Sequence, residues 1–339
     1  MKKGIQLKMM AILAILTLAL VACGQSEGTS SEGEQKEEKE ATSQEADQSG
    51  EDQEEQESEE TSQTITYLGE EYTVPSPVES IATASLESME DAAVLGVKPM
   101  ATITFGGKIP DYVADELEGA KDIGSKRQPS YEKLLELKPD VILGTSKFQP
   151  EVVENLNKVA PMFPVSHIST DWEDNLTLMG QLTGKEDQAK EVISQYKEDA
   201  KALQGDVKDA VEGKKVMMVR IRRGSIFVYP EDVYFNPVLY NDLGIDVPED
   251  LKAVKAQEMM TLEKLADINP DYLYVQFAET ENPDSPEYLD ELQNNAIWKS
   301  MNASKNNQVF VNAIDPMAQG GTAWSKTNFL DVVEDTLTK

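Results

Sequence analysis

The chain has one cysteine, one histidine and four arginines in 339 residues. Each scarcity excludes something. With Cys23 alone, no intramolecular disulfide can form and no thiolate pair can hold a metal. With His167 alone, a multi-histidine metal site cannot be built, and a serine–histidine pair would have to rest on that one ring. Acidic residues outnumber basic ones 62 to 31, a formal charge of −31, which makes nucleic acid an unsuitable partner.

Long apolar runs are also missing. The longest, residues 9–22, has 14 residues and follows the basic Lys2, Lys3 and Lys8. It is too short to span a bilayer comfortably and fits a signal-peptide core. It ends Leu20-Val21-Ala22-Cys23, similar to the bacterial lipoprotein cleavage box, in which the cysteine becomes the lipidated N-terminus. Residues 1–22 are therefore read as a signal peptide and Cys23 as the lipidation site. Residues 24–63 hold 15 acidic and two basic side chains, no aromatic and almost nothing apolar. Such a segment cannot bury enough surface to offset its conformational entropy, so 23–63 is expected to be a disordered, charge-extended tether.

What is present begins with a repeat. SYEKLLELKPDVILGTS starts at Ser130, and TLEKLADINPDYLYVQF starts 131 positions later at Thr261. Ser130 and Thr261 can each cap a helix, and Pro139 and Pro270 each stop one. The runs 141–143 and 272–275 then read as short buried strands. A helix feeding a buried strand is the building step of a parallel α/β layer. Two copies so far apart predict two lobes of similar construction, 64–184 and 213–339. Between them, Ala189, Val192, Ile193, Tyr196, Ala200 and Leu203 follow helical spacing, so 185–212 reads as one connecting helix.

The four arginines occupy two places. Arg127 precedes the first repeat helix, while Arg220, Arg222 and Arg223 end a predicted strand, with Arg220 and Arg222 on one face. Guanidinium groups grip anionic oxygens bidentately, and a basic cluster in so acidic a chain makes a local positive well. Two readings are open for Arg127, Arg220 and Arg222: an anionic-ligand site, or surface pairing with the abundant carboxylates; Arg223 reads as surface. Tyr229, Tyr234, Phe235 and Trp324 lie nearby in sequence and could line a cleft or a core. Gly320 and Gly321 could admit a ligand to the backbone or simply form a loop. His167 reads as structural or as a ligand.

Several segments in order carry a family resemblance: YTVPSPVESIATASLESMEDAAVLGVKPMA, IGSKRQPSYEKLLELKPDVILG, LNKVAPMFPV, LTGKEDQAKEVISQYKED, VRIRRGSIFVY, VLYNDLGI and the terminal GGTAW. Beyond the tether the chain resembles the ferric-siderophore substrate-binding lipoproteins of bacterial ABC importers. The resemblance implies an α/β fold of two lobes with mostly parallel sheets, joined by one long rigid helix, with a ligand cleft between the lobes. It implies a monomeric carrier and no enzyme, lipid-anchored on the extracytoplasmic face of the cell membrane. The carrier would capture a ferric siderophore, of hydroxamate/carboxylate or citrate type, and deliver it to ABC permease subunits driven by a separate ATPase. No cofactor beyond the lipid anchor is implied, because the chelator holds the iron. By position, Arg127 falls on the first-lobe wall, Arg220 and Arg222 on the second, and Lys147 at a basic ligand contact. Glu90 matches the family's first-lobe acid that docks on permease arginines. Its second-lobe counterpart is usually a Glu shortly before a Gly; here Asp242 before Gly244 stands in. Haem or a corrinoid is the other ligand class that this fold accommodates. An exported hydrolase would need a nucleophile with a matching base, and the chain carries no such motif.

Overall fold

The structure, a computed structural model, describes residues 61–339. The leader, Cys23 and nearly all of the acidic segment lie outside the described residues. The last part of that segment does not behave as a tether. Ser62–Tyr67 is a strand paired antiparallel with Glu70–Pro75, with Ser62 opposite Pro75. The turn between them is Leu68-Gly69, both at positive φ (49° and 86°), the conformation that a two-residue hairpin needs. Ile65 and Tyr67 alternate inward, and the Tyr67 hydroxyl donates to Asn175 Oδ1 at 2.5 Å while accepting from Ser166 N at 2.8 Å. Composition alone misplaced this boundary because only two buried side chains, Ile65 and Tyr67, anchor an otherwise polar strand.

Two five-stranded sheets follow. The first runs Lys121–Asp122, Ala101–Thr102, Ile81–Thr83, Val141–Thr145, Met162–Val165, with every pairing parallel. The second runs Glu258–Met260, Ser225–Val228, Val216–Arg222, Tyr272–Phe277, Val309–Val311. Its last two pairings are parallel and its first two antiparallel, because Arg223 and Gly224, at φ 50° and 65°, turn the chain straight back after Arg222.

The two repeats do the same work in the two sheets. Ser130 Oγ accepts from Lys133 N and caps the helix Tyr131–Leu137; Thr261 Oγ1 accepts from Lys264 N and caps Leu262–Ile268. Both helices end on a left-handed residue, Lys138 and Asn269, just before the proline. The aspartates after the prolines explain the rest of the match. Asp140 Oδ2 accepts from Glu79 N and Ser80 N, both at 2.8 Å, and Asp271 Oδ2 accepts from Lys215 N at 2.9 Å. Each carboxylate thereby ties the start of its strand to the start of the neighbouring one.

The helix Glu186–Ala210 has 25 residues, about 37 Å at 1.5 Å per residue. It buries Ala189, Tyr196, Ala200 and Val207 and leaves its charged faces in water. The terminal helix Ala323–Leu337 packs on it, and also on the first-lobe helices Leu86–Val94 and Trp172–Thr183. The C-terminal segment thus closes back over the first lobe. A buried cation fixes it there: Lys326, 1 % exposed, lies 5.5 Å and 5.0 Å from the ring centroids of Trp172 and Tyr196 and pairs with Asp242 Oδ2 at 2.6 Å.

Candidate ligand cleft

Beyond the carboxyl ends of the central strands, where open α/β sheets place their ligands, a cleft of about 590 Å³ opens between the lobes. Lys126, Arg127 and Lys147 line it from the first lobe; Arg220, Arg222 and Lys255 line it from the second. Three acids share the lining, Glu87, Asp232 and Glu281, so cations prevail locally in a chain of net charge −31.

Each basic group has a structural reason for its place. Gly124–Ser125 and Gln128–Pro129 form a small hairpin, and Lys126-Arg127 is its two-residue tip. On the strand Val216–Arg222, Arg220 and Arg222 share one face while Ile221 is fully buried on the other. Arg220 donates through Nε to Glu281 Oε2 at 2.9 Å and through Nη2 to Pro316 O at 3.3 Å. Arg222 Nε stands 3.3 Å from the same Glu281 oxygen, and its Nη1 donates to Gln257 Oε1 at 3.2 Å. Lys126 Nζ reaches Glu281 Oε1 at 3.1 Å from the other lobe. Lys147 Nζ lies 2.9 Å from Glu87 Oε1, whose side chain is nearly buried. Arg127 is exposed at the hairpin tip and has no ion-pair partner among the described residues.

The aromatic wall is built by Tyr229 and Tyr234, with ring centroids 4.8 Å apart. The Arg220 guanidinium sits 5.2 Å over the Tyr234 ring, a cation–π contact that orients both groups. Tyr234 is at φ 63°. Gly320 supports that strain: a Cβ there would lie 2.4 Å from the Tyr234 carbonyl carbon, and one on Gly321 would lie 2.7 Å from Ser169 Cα. The two glycines therefore admit protein to protein beside the cleft. The buried Tyr234 hydroxyl has no hydrogen-bond partner among the described residues.

His167 also lines the cleft, with Nδ1 at 2.7 Å from Ser146 Oγ. Burial and the neighbouring Lys147 charge hold it below the ordinary imidazole range, so it is neutral at physiological pH. Ser146 Oγ also accepts from His167 N at 3.2 Å, the geometry of a local loop tie. Among the described residues no group of three or more His, Cys, Asp or Glu is placed to hold a metal ion.

Two sequence expectations are corrected. Trp324 does not line the cleft; it is half-buried against Tyr112, ring centroids 4.6 Å apart, because the first turn of the terminal helix faces the first lobe. Glu90 cannot dock on a permease, because it has no exposed surface. Its carboxylate accepts from Tyr112 Oη at 2.6 Å, Ser325 Oγ at 2.5 Å, Gln319 N at 3.0 Å and Thr322 Oγ1. Burial pushes its pKa up to about 7 against those four bonds. Asp242, expected as the second docking acid, keeps a 27 % exposed side chain while bonded to Lys326 and to the Tyr196 hydroxyl at 2.6 Å.

Several cleft residues escaped the sequence reading. Lys126 was overlooked because lysines are spread over the whole chain, although its adjacency to Arg127 in a two-residue turn was a usable signal. Glu281 and Glu87 had none, because their partners lie 61 and 60 positions away in sequence.

Fold and cleft together define a two-lobed α/β binding protein whose ligand site is cationic and partly aromatic. The profile described as "Periplasmic binding protein" matches residues 81–313, and the chain belongs to that family. It is 47% identical over 276 residues to the "Iron-uptake system-binding protein" of Bacillus subtilis (strain 168), covering 81% of this chain and 87% of the relative. It superposes with a TM-score of 0.79 and 46% identity on the "triscatecholate siderophore binding protein FeuA" of Bacillus subtilis complexed with ferri-bacillibactin, covering 81% of this chain and 98% of that one. Staphylococcus aureus SirA complexed with staphyloferrin B shares the fold, with a TM-score of 0.68 and 24% identity over 80% of this chain and 96% of that one.

Proposed function

We propose that this chain is the extracytoplasmic substrate-binding component of an ABC importer, and that it captures a ferric siderophore as an anionic complex. One observation carries the reading: cations from both lobes converge on one cleft of a chain whose net charge is −31. The chelator supplies the iron ligands, so the protein needs charge and shape in place of its own metal site. Within the siderophores, a triscatecholate fits better than the hydroxamate, carboxylate or citrate types expected from sequence. A trianionic complex uses several cations at once, the Tyr229–Tyr234 wall suits aromatic rings, and the ligand named for FeuA is of this class. Lipidation of Cys23 would hold the carrier at the membrane surface.

The permease would be met by the outer surface beside the cleft. The repeat supplies candidates: Glu132 and Glu263 occupy the same first-turn position in the two capped helices, one per lobe, and both are exposed. Each helix begins a few residues after a cleft residue, Arg127 and Gln257 respectively, so both acids sit near the rim. We assign the docking pair to these two in place of Glu90 and Asp242.

The test is a tryptophan-fluorescence titration of the mature chain with a ferric triscatecholate, ferric citrate, ferrioxamine, haemin and cobalamin. Submicromolar quenching by the triscatecholate, far above the rest, is the expected result. Tight binding of haemin alone would sink it and turn attention to His167.

A further inference from the structure

Glu281 is a feature of the cleft that anion capture leaves unexplained. A carboxylate stands among the cations that would bind the ligand, where it neutralises them. Its side chain is only 7 % exposed, and it meets Arg220 at 2.9 Å, Lys126 at 3.1 Å and Arg222 at 3.3 Å. Its backbone is fixed as firmly. Glu281 O accepts from Arg223 N at 3.1 Å. The next residue, Asn282, donates to Ile221 O at 3.0 Å and Ala278 O at 2.8 Å, and accepts from Gly224 N at 3.1 Å. The turn that carries the carboxylate is thus locked to the strand that carries the arginines.

Two of the three partners are accessible and one is not. Arg220 is buried, whereas Lys126 and Arg222 have side chains 35 % and 27 % exposed towards the cleft. Lys126 belongs to the first lobe and Glu281 to the second, so their contact crosses the cleft. We propose that Glu281 is an internal counter-anion. It holds Lys126 and Arg222 in place while the cleft is empty, yields them to the oxygens of an incoming polyanion, and repels that polyanion enough to permit release. Its permanent bond to Arg220 keeps it in position throughout. The identity of the polyanion rests on the ferric-siderophore reading; the role of Glu281 rests only on the geometry.

The sign of one substitution separates this from a purely positioning role. Glu281→Gln keeps an acceptor for Arg220 but removes the charge, so a trianion should bind more tightly. A residue that merely positions the arginines would give weaker binding. The experiment uses the mature chain as wild type, Glu281→Gln and Glu281→Asp, with a synthetic ferric tris(catecholamide) of charge −3 as probe. Glu281→Gln should bind it about tenfold tighter or more, by slower dissociation, with the gain shrinking as salt is raised. Glu281→Asp, which keeps the charge, should not share that gain. In parallel, inorganic phosphate at constant ionic strength should raise the melting temperature of Glu281→Gln more than that of wild type. Equal or weaker probe binding by Glu281→Gln would overturn the inference. If wild type binds no ferric chelate, the phosphate arm decides: a larger response in Glu281→Gln sinks the siderophore reading and keeps the counter-anion, and an equal response sinks the counter-anion.

Discussion

Lys126 Nζ stands 3.1 Å from Glu281 Oε1, and this ion pair joins the hairpin tip of the first lobe to a turn of the second. The pair means that the cleft is electrostatically organised before any ligand arrives. Lys126 and Arg222 are neither free in solvent nor buried beyond reach, a condition that favours exchange of one anion for another over first-time desolvation.

The exposed and buried arginines should therefore differ on mutation. Arg222→Ala and Lys126→Ala remove cleft-lining cations whose loss the fold can tolerate. Each should weaken a ferric triscatecholate by roughly 1.5–3 kcal/mol, or about ten- to 150-fold in Kd, with little change in melting temperature. Arg220→Ala deprives Glu281 of its most buried partner, so it should lose binding and also about 3 kcal/mol or more of stability. Chemical denaturation beside the titration checks both halves. Equal stability of all three variants would show that Arg220 has no special burden.

Much of the architecture could be read from the chain, because the repeat encodes it locally. Cap, stop and strand recur at Ser130, Pro139 and Val141, and again at Thr261, Pro270 and Tyr272, each with a short-range physical cause. The cleft was only half legible. Arginines are rare enough here to stand out, and three of them line it. The groups that complete the site are common residue types whose roles come from long-range pairing. Glu281 meets Lys126 from 155 positions away, and Glu90 meets Ser325 from 235. No local pattern distinguishes a buried, satisfied glutamate such as Glu90 from an exposed one such as Glu132.

Glu90 also sets a pH dependence. Its pKa in the folded chain is pushed to about 7, above the ordinary carboxylate value of 4.5, chiefly by burial. A raised acid binds its proton more readily in the folded state. Its contribution is therefore fully present below pH ~4.5 and lost as the pH rises towards 7. Neighbouring Asp91 is shifted the same way by burial and by Glu90 itself, which reinforces the slope. Over that window the loss should amount to roughly 2–4 kcal/mol. Glu90→Gln should flatten the profile when unfolding free energy is measured from pH 4.5 to 7.5. A variant with the wild-type slope would assign the dependence to other groups.

The Lys326–Asp242 pair makes a separable prediction about the closing helix. Lys326 is buried between Trp172 and Tyr196, and burial pulls its pKa down while Asp242 pushes it back up. Asp242→Asn leaves an uncompensated buried ammonium and should cost about 3–5 kcal/mol. Asp242→Asn combined with Lys326→Met should cost clearly less than the sum of the single changes, because the second replacement removes the stranded charge. A double-mutant cycle by urea denaturation measures the coupling, and additive single effects would exclude it.

The docking assignment separates from ligand capture in one experiment. Glu132 and Glu263 lie on the outer surface, in the first turns of matched helices, and neither makes an ion pair among the described residues. Reversing them to lysine should leave fold and Kd nearly unchanged, because exposed single charges contribute little to either. A permease that recognises one acid per lobe through its own arginines would lose both contacts and meet repulsion in their place. Uptake of the iron-55 triscatecholate by cells carrying Glu132→Lys/Glu263→Lys as their sole copy should therefore fall tenfold or more, while purified protein titrates like wild type. Each single reversal should give an intermediate loss, because one of the two contacts remains. Undiminished uptake by the double variant would remove both residues from the permease interface. Loss of uptake together with loss of ligand affinity would place them in the cleft instead. The repeat makes this a paired test, since any role tied to the helix position itself should appear in both lobes or in neither.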